Sequence, residues 1–136
     1  MKIFICASKY LYGHIEEIKN ELEKRGHIVT LPNSFDEPLK EEEMKLLSRE
    51  EHAKWKGEMF KLQKQKVSGN DAVLVINREK NGQQNYIGGA TFLEIYEAFS
   101  QGKKIYLLNP IPENNLKDEI EGMSPIIING DLDLVK

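Results

Sequence analysis

Cysteine is nearly absent from this 136-residue sequence, which contains one cysteine and three histidines. The lone Cys6 cannot form a disulfide within the chain, and His14, His27 and His52 are too scattered for a metal-binding motif. We therefore expect no metal ion and no other cofactor. A single unpaired thiol suits a reducing compartment, so we also expect the protein to work in the cytoplasm.

A membrane span, a signal peptide and an excess of basic residues are missing as well. No apolar run approaches the roughly 20 residues of a membrane span, and Met1–Cys6 has no signal-peptide layout. The net charge of −3 argues against nucleic acid polymers and membrane surfaces as partners. A hydrophobic fraction of 40% and a charged fraction of 30% are ordinary for one globular domain, which we place at residues 1–136.

What the sequence does contain is an alternation of short apolar runs with segments of helical periodicity. The apolar runs are Lys2–Cys6, His27–Leu31, Ala72–Ile76, Ile105–Leu108 and Pro125–Ile128. The helical segments are Ile15–Leu22, Lys40 to about Val67 in two pieces, Phe92–Phe99 and Leu116–Glu121. This alternation predicts an α/β fold with a five-stranded parallel sheet in the order 2-1-3-4-5 and helices on both faces.

The charged segment from Lys40 to Val67 carries few functional signals. Its many lysines and glutamates are most simply a solvated helix face, to which we assign no chemistry. Ser48 and Glu51 form a capping-box pattern that restarts the helix in the middle. The second piece has more large apolar surface than its own sheet covers, which predicts a homodimer or a dimer of dimers. Packing on the chain's own sheet is an equally weighted alternative. The apolar residues are Trp55, Met59 and Phe60.

A ligand crevice is expected at the carboxyl ends of strands 1 and 3, where the winding direction of the sheet reverses. The loops Ala7–Gly13 and Asn77–Gly89 follow these two strands and should meet there. Gly88 and Gly89 allow the backbone to approach a ligand, and the start of the next helix offers free N–H groups to an anion. Glu94 would stand at the mouth of this site.

Glu94 has two interpretations that spacing alone does not separate. Thr91-x-x-Glu94 matches a capping box, in which the glutamate only starts the helix. Alternatively, Glu94 is a reactive carboxylate in the first helical turn. The helix N-terminus would then lower its pKa and keep it ionised.

Three segments of the chain resemble the nucleoside 2-deoxyribosyltransferase family, whose superfamily also includes nucleoside-monophosphate N-glycosidases. They are the start Lys2–Ser8, the strand Asp71–Ile76, and the Gly-x-x-x-x-Glu helix start at Gly89–Glu94 with Gly102–Ile105 after it. The layout is similar over nearly the whole chain. The specific motif is confined to the region from Gly88 to Lys104.

The resemblance implies a flavodoxin-like fold and cleavage of the N-glycosidic bond of a nucleoside or nucleotide, by hydrolysis or transfer. Glu94 falls on the family's nucleophile, which forms a glycosyl-enzyme ester with the sugar. Ser8, Lys9 and Tyr10 match the segment that contacts sugar and base. The crevice adds further candidate substrate contacts, namely Asn77, Tyr86, Gly88 and Gly89. If Glu94 is only a cap, the alternative is a non-catalytic nucleotide-binding protein of the same fold.

Two positions depart from the family's pattern. Gly88 stands where the transferases have an aspartate and the monophosphate hydrolases a serine. The family's second acid corresponds to Gln63, which cannot act as a general acid. Asp71 opens a strand and is expected to be structural. Other acids are conceivable replacements for the second acid, and the sequence selects none of them. These are Asp36, Glu37 and Glu58.

Overall fold

A five-stranded, fully parallel sheet forms the centre of the protein. The computed structural model describes residues 1–136, and its strands are β1 (Lys2–Cys6), β2 (Ile28–Thr30), β3 (Ala72–Val75), β4 (Lys104–Leu107) and β5 (Ile126–Ile127). Their order in the sheet is β2-β1-β3-β4-β5, and every neighbouring pair is parallel. The predicted fold class and strand order are therefore confirmed.

Five α-helices connect the strands. They are α1 (Ile15–Lys24), α2 (Lys40–Leu47), α3 (Arg49–Ser68), α4 (Gly89–Ser100) and α5 (Lys117–Gly122). Short 3₁₀ helices span Lys9–His14 and Leu132–Leu134. The first of these corrects the sequence prediction of an irregular loop, because the chain turns helical soon after β1 and continues directly into α1. None of the helices is long and apolar enough to cross a membrane.

The strands are apolar without interruption because both faces of the sheet are covered. Ile3 and Ile5 of β1 belong to a core cluster on one face, together with Ile15 and Leu22 of α1. Phe4 and Cys6 point to the opposite face, where helices α3, α4 and α5 contribute their own buried residues. Side chains of a strand alternate between its two faces, so each strand supplies both cores.

The break between α2 and α3 lies at Ser48, as the capping pattern predicts. Ser48 has an extended backbone, and its Oγ accepts a hydrogen bond of 3.0 Å from the Glu51 N–H. That bond satisfies one of the free donors at the start of α3. Helix α2 itself has no buried residue and leaves Leu46 and Leu47 exposed. It is therefore weakly anchored by apolar packing.

Helix α4 begins three residues earlier than the capping-box interpretation requires. Its N-cap is Gly88, no side chain caps it, and Gly89 is its first residue. Thr91 and Glu94 both lie inside the helix and are buried. The capping interpretation of Thr91 and Glu94 is therefore wrong, and the buried carboxylate of Glu94 needs another explanation.

Candidate active site

A cavity of about 250 Å³ opens beside the carboxyl end of β1 and the start of α4. The segment after β1, the loop between β2 and α2, and helices α2, α3 and α4 all contribute to its lining. Gly88, the N-cap of α4, and residues 89–91 of the helix belong to this lining, so the first turn of the helix faces the cavity. The first N–H groups of a helix have no partner within it, which leaves donors available to a ligand here.

Most of the residues that the sequence suggests for the site meet at this cavity. Its lining includes Ser8, Lys9, Tyr10, Gly88, Gly89 and Glu94. Gln63, at the position of the expected second acid, lines it as well. Asp36, Glu37 and Glu58 are exposed and lie outside it, so none of the three conceivable replacements faces Glu94 in this structure.

Glu94 is the buried carboxylate of the cavity floor, with 7% of its surface exposed. Burial raises its pKa to about 8, although the Cys6 thiol and the charges of Lys66 and Lys56 act in the opposite direction. The sequence-based expectation of a lowered pKa is therefore wrong. Glu94 is the sixth residue of α4, and the helix dipole acts mainly within the first turn, so desolvation outweighs it.

A second carboxylate, Glu41 of α2, lines the same cavity. It accepts hydrogen bonds from Lys56 Nζ at 2.9 Å and Lys9 Nζ at 3.2 Å, and its Oε2 lies 3.0 Å from His52 Nε2. Burial alone would raise its pKa, but the bonds from Lys56, His52 and Lys9 lower it to about 2. Glu41 is thus ionised at neutral pH and unsuited to donate a proton.

Sequence reasoning missed Glu41. It lies in the run Glu41–Glu43 of a helix that reads as a solvated face, and nothing in that run separates it from its neighbours. Its partners lie 32, 11 and 15 residues away along the chain, so only the fold brings them together. No local signal in the sequence singles Glu41 out.

Lys80 joins two of the predicted site residues at the rim of the cavity. Its Nζ lies 3.8 Å from the ring centroid of Tyr10 and 4.5 Å from that of Tyr86. These cation–π contacts hold the loop after β3 against the segment after β1. Tyr86 does not line the cavity itself, but its hydroxyl would lie 3.4 Å from a Cβ added at Gly88.

Asn77, another predicted contact, lies away from the cavity and is fully buried. Its Nδ2 donates to the carbonyl oxygens of Asn109 and Pro110, and its Oδ1 accepts from the Asn109 N–H at 2.9 Å. All of these bonds tie the end of β3 to the chain after β4. Asn77 therefore joins the carboxyl ends of β3 and β4 and offers no polar atom to a ligand.

The apolar residues behind the predicted oligomer, Trp55, Met59 and Phe60, line the cavity and are half-buried. The cavity therefore accounts for part of the apolar surface of α3, and the homo-oligomer stays a prediction. The structure contains no group of three or more His, Cys, Asp or Glu side chains placed to hold a metal ion.

Comparison with known proteins identifies solved structures with a similar fold. No family model matches the chain, and no curated protein matches it significantly. A 2-deoxyribosyltransferase from Bacillus psychrosaccharolyticus has a similar structure, with a TM-score of 0.66, 17% identity, and coverage of 99% of this chain and 94% of that chain. CMP N-glycosidase from Clostridium botulinum is also similar, with a TM-score of 0.56, 23% identity and coverage of 95% and 89%. The chain shares the fold of these proteins over nearly its full length.

Proposed function

We propose that this protein cleaves the N-glycosidic bond of a nucleoside or nucleotide, with Glu94 as the nucleophile. The observation that carries the proposal is the position of Glu94: a buried carboxylate without a cation in contact, at the floor of a cavity with polar and aromatic walls. Strongly perturbed acids in clefts are frequently functional. The proteins that share the fold are named as a 2-deoxyribosyltransferase and a CMP N-glycosidase, which supports the same reaction class.

The lining suits the two halves of such a substrate. Tyr10, Trp55 and Phe60 offer aromatic surface against which a flat base can pack. Gln63 and Thr91, which are buried and line the same cavity as Glu94, are polar and suit a sugar. The first turn of α4 and the unpaired Lys45 offer positive potential near the cavity, which suits a phosphate where the substrate is a nucleotide.

The chemistry needs Glu94 in its ionised form. A carboxylate oxygen attacks the anomeric carbon, and the bond from that carbon to the base breaks with its electron pair going to the base. The base takes up a proton from water. A second acceptor, either water or another base, then attacks the anomeric carbon and releases the Glu94 carboxylate. The attacking acceptor, whether water or the N–H nitrogen of another base, loses its proton to solvent. With water the product is the free sugar, or the sugar phosphate where the substrate is a nucleotide.

No acid side chain protonates the leaving base in this proposal. Gln63 occupies the expected position and carries no acidic proton, and Glu41 is ionised because its pKa is lowered to about 2. The reaction would therefore favour bases that leave with little assistance. The same facts favour a second candidate function: a nucleotide-binding protein of this fold in which Glu94 stays protonated and no bond is cleaved.

A panel of nucleosides and 5′-monophosphates, scored for release of free base, separates the two candidates. We expect release by the wild type and a loss of at least about a thousandfold in kcat for Glu94→Gln, which cannot form a glycosyl ester. Glu97→Gln is the matched control, since Glu97 lies on the same helix outside the cavity. Activity retained by Glu94→Gln would reject the mechanism, and binding without release by the wild type would favour the binding protein.

The assembly and compartment are part of the proposal. We keep the homodimer or dimer of dimers, and a single-chain mass in solution at micromolar concentration would reject it. The single cysteine, Cys6, is buried and unpaired, which supports the proposed cytoplasmic location.

A further inference from the structure

Two neutral polar side chains next to Glu94 have no hydrogen-bond partner within the protein. Gln63 of α3 is 7% exposed and Thr91 of α4 is 2% exposed, and both line the cavity. Their polar atoms are not sealed off, since neither residue is among those with fully enclosed unpartnered atoms. Both side chains therefore keep access to the cavity and to whatever it holds.

Buried polar side chains usually have a hydrogen-bond partner, because a donor or acceptor cut off from every partner costs about 1–3 kcal/mol. Other buried polar side chains in this protein, such as Asn70 and Asn77, are hydrogen-bonded to the backbone. Gln63 and Thr91 have no such bond and open instead onto the same cavity. A ligand that supplies their missing partners would explain both.

The depth of these residues indicates which part of the ligand they meet. Along α3 the lining residues Trp55 and Met59 are half-buried, whereas Gln63 is buried. Thr91 lies three residues before Glu94, so the two share a helix face. Gln63, Thr91 and Glu94 therefore form the cavity floor, and the aromatic side chains form its rim. If Glu94 attacks the anomeric carbon, the floor receives the sugar.

We infer that Gln63 and Thr91 bind the hydroxyl groups of the sugar, and that the site selects ribose over 2-deoxyribose. An amide and a hydroxyl both donate and accept, which matches adjacent sugar hydroxyls that do the same. A 2-deoxyribose lacks one of these hydroxyls and would leave a buried floor group unpaired. Sites built to hydrogen-bond a substrate hydroxyl reject analogues that lack it for this reason. The inference rests on the proposed function, since it places the anomeric carbon at Glu94.

The test compares ribonucleosides and their 5′-monophosphates with the matching 2′-deoxy compounds. We expect kcat/KM to favour ribose by about tenfold to a hundredfold in the wild type. Gln63→Met and Thr91→Val remove the hydrogen bonds with little change of volume, and each should bring the ratio close to one. Gln65→Met is the matched control, because Gln65 lies on the same helix, exposed and outside the cavity, and should keep the wild-type ratio.

Binding gives a second readout that does not depend on turnover. In the Glu94→Gln background, calorimetry with the same compounds should show the same preference, and adding Gln63→Met should abolish it. If Gln63→Met weakens the binding of the ribose and the 2-deoxyribose compounds equally, Gln63 has only a structural role and the inference is overturned. Equal or better use of 2-deoxyribose by the wild type would also overturn it, with the proposed function intact. If no compound binds or reacts, the proposed function fails first, and the inference with it.

Discussion

Two carboxylates face one cavity under opposite conditions. Glu94 lies on the floor, 7% exposed and without a cation in contact, and burial raises its pKa to about 8. Glu41 lies on α2, where burial is outweighed by hydrogen bonds from Lys56, His52 and Lys9 that lower its pKa to about 2. The difference lies in the partners, since desolvation raises the pKa of both groups.

The different surroundings of Glu94 and Glu41 suit the two residues to different roles. A carboxylate saturated by cations is stable and unreactive, because its lone pairs are already engaged. A desolvated carboxylate without a counter-ion is costly to ionise and becomes a strong nucleophile once it is ionised. Glu94 thus fits the reactive group of the proposed function, whereas Glu41 fits a fixed point of the cavity wall.

The largest expected effect is on the pH dependence of base release. Because a nucleophilic Glu94 must be ionised, kcat/KM should rise about tenfold per pH unit below its pKa of about 8 and then level off. Glu41 adds no step near neutral pH, since its pKa is lowered to about 2. A pH profile measured on the most active compound of the panel tests this. Activity that falls as the pH rises toward 8 would mean that Glu94 acts as an acid.

The second effect is on stability at alkaline pH. The pKa of Glu94 rises from 4.5 to about 8 on folding, so between these values the folded chain holds a proton that the unfolded chain has lost. The contribution of Glu94 to stability is therefore full below 4.5 and lost as the pH rises through about 8. Glu94→Gln carries no charge and avoids the loss. We expect its free energy of unfolding to exceed that of the wild type by several kcal/mol above that pH, because each unit of pKa shift is worth about 1.4 kcal/mol.

Denaturant unfolding at acidic and alkaline pH measures this difference. Below the unfolded pKa of 4.5 both chains are neutral at this position, and their free energies of unfolding should be close. Glu97→Gln, on the same helix, should follow the wild type throughout. A constant offset of Glu94→Gln at every pH would show that the carboxylate is not desolvated in the folded protein.

The sequence predicts the fold well because each signal that specifies it is local. Both faces of the sheet are covered, so strands such as Ala72–Val75 appear as unbroken apolar runs with no need of distant information. The start of α3 follows the same rule, since Ser48 and Glu51 are three residues apart. These features depend on neighbours along the chain, and periodicity records them directly.

The site depends on distant contacts and on one ambiguous helix start. Gly88 and Thr91 are both acceptable N-caps, and the difference of three residues moves Glu94 from an exposed first turn to a buried second one. As a result, the pKa of Glu94 is raised, whereas the sequence predicts that it is lowered. Glu41 gains its meaning from Lys9, 32 residues before it. Asn77 has the right residue type at the right loop, but the backbone after β4 uses its hydrogen bonds.

The smallest expected effect concerns Glu41, whose contribution to stability depends on pH in the direction opposite to that of Glu94. Helix α2 has no buried residue, and polar side chains help to attach it to the rest of the protein: Glu41 bonds to Lys9, His52 and Lys56, and Glu42 bonds to Lys9. Glu41→Gln keeps the shape but loses the charge, and we expect a loss of roughly 1–3 kcal/mol at neutral pH. Added salt should reduce this loss, because the group is partly exposed.

The contributions of the two carboxylates to stability change with pH in opposite directions. The pKa of Glu41 falls from 4.5 to about 2 on folding, so its contribution is present above 4.5 and is lost as the pH falls toward about 2. The gap between wild type and Glu41→Gln, measured by denaturant unfolding, should therefore narrow on acidification. Glu43→Gln is the matched control on the same helix, since Glu43 is exposed and its one ion pair, to Lys40, spans 4.0 Å. A gap that stays constant down to the lowest accessible pH would show that Glu41 holds α2 by shape and neutral hydrogen bonding, without its charge.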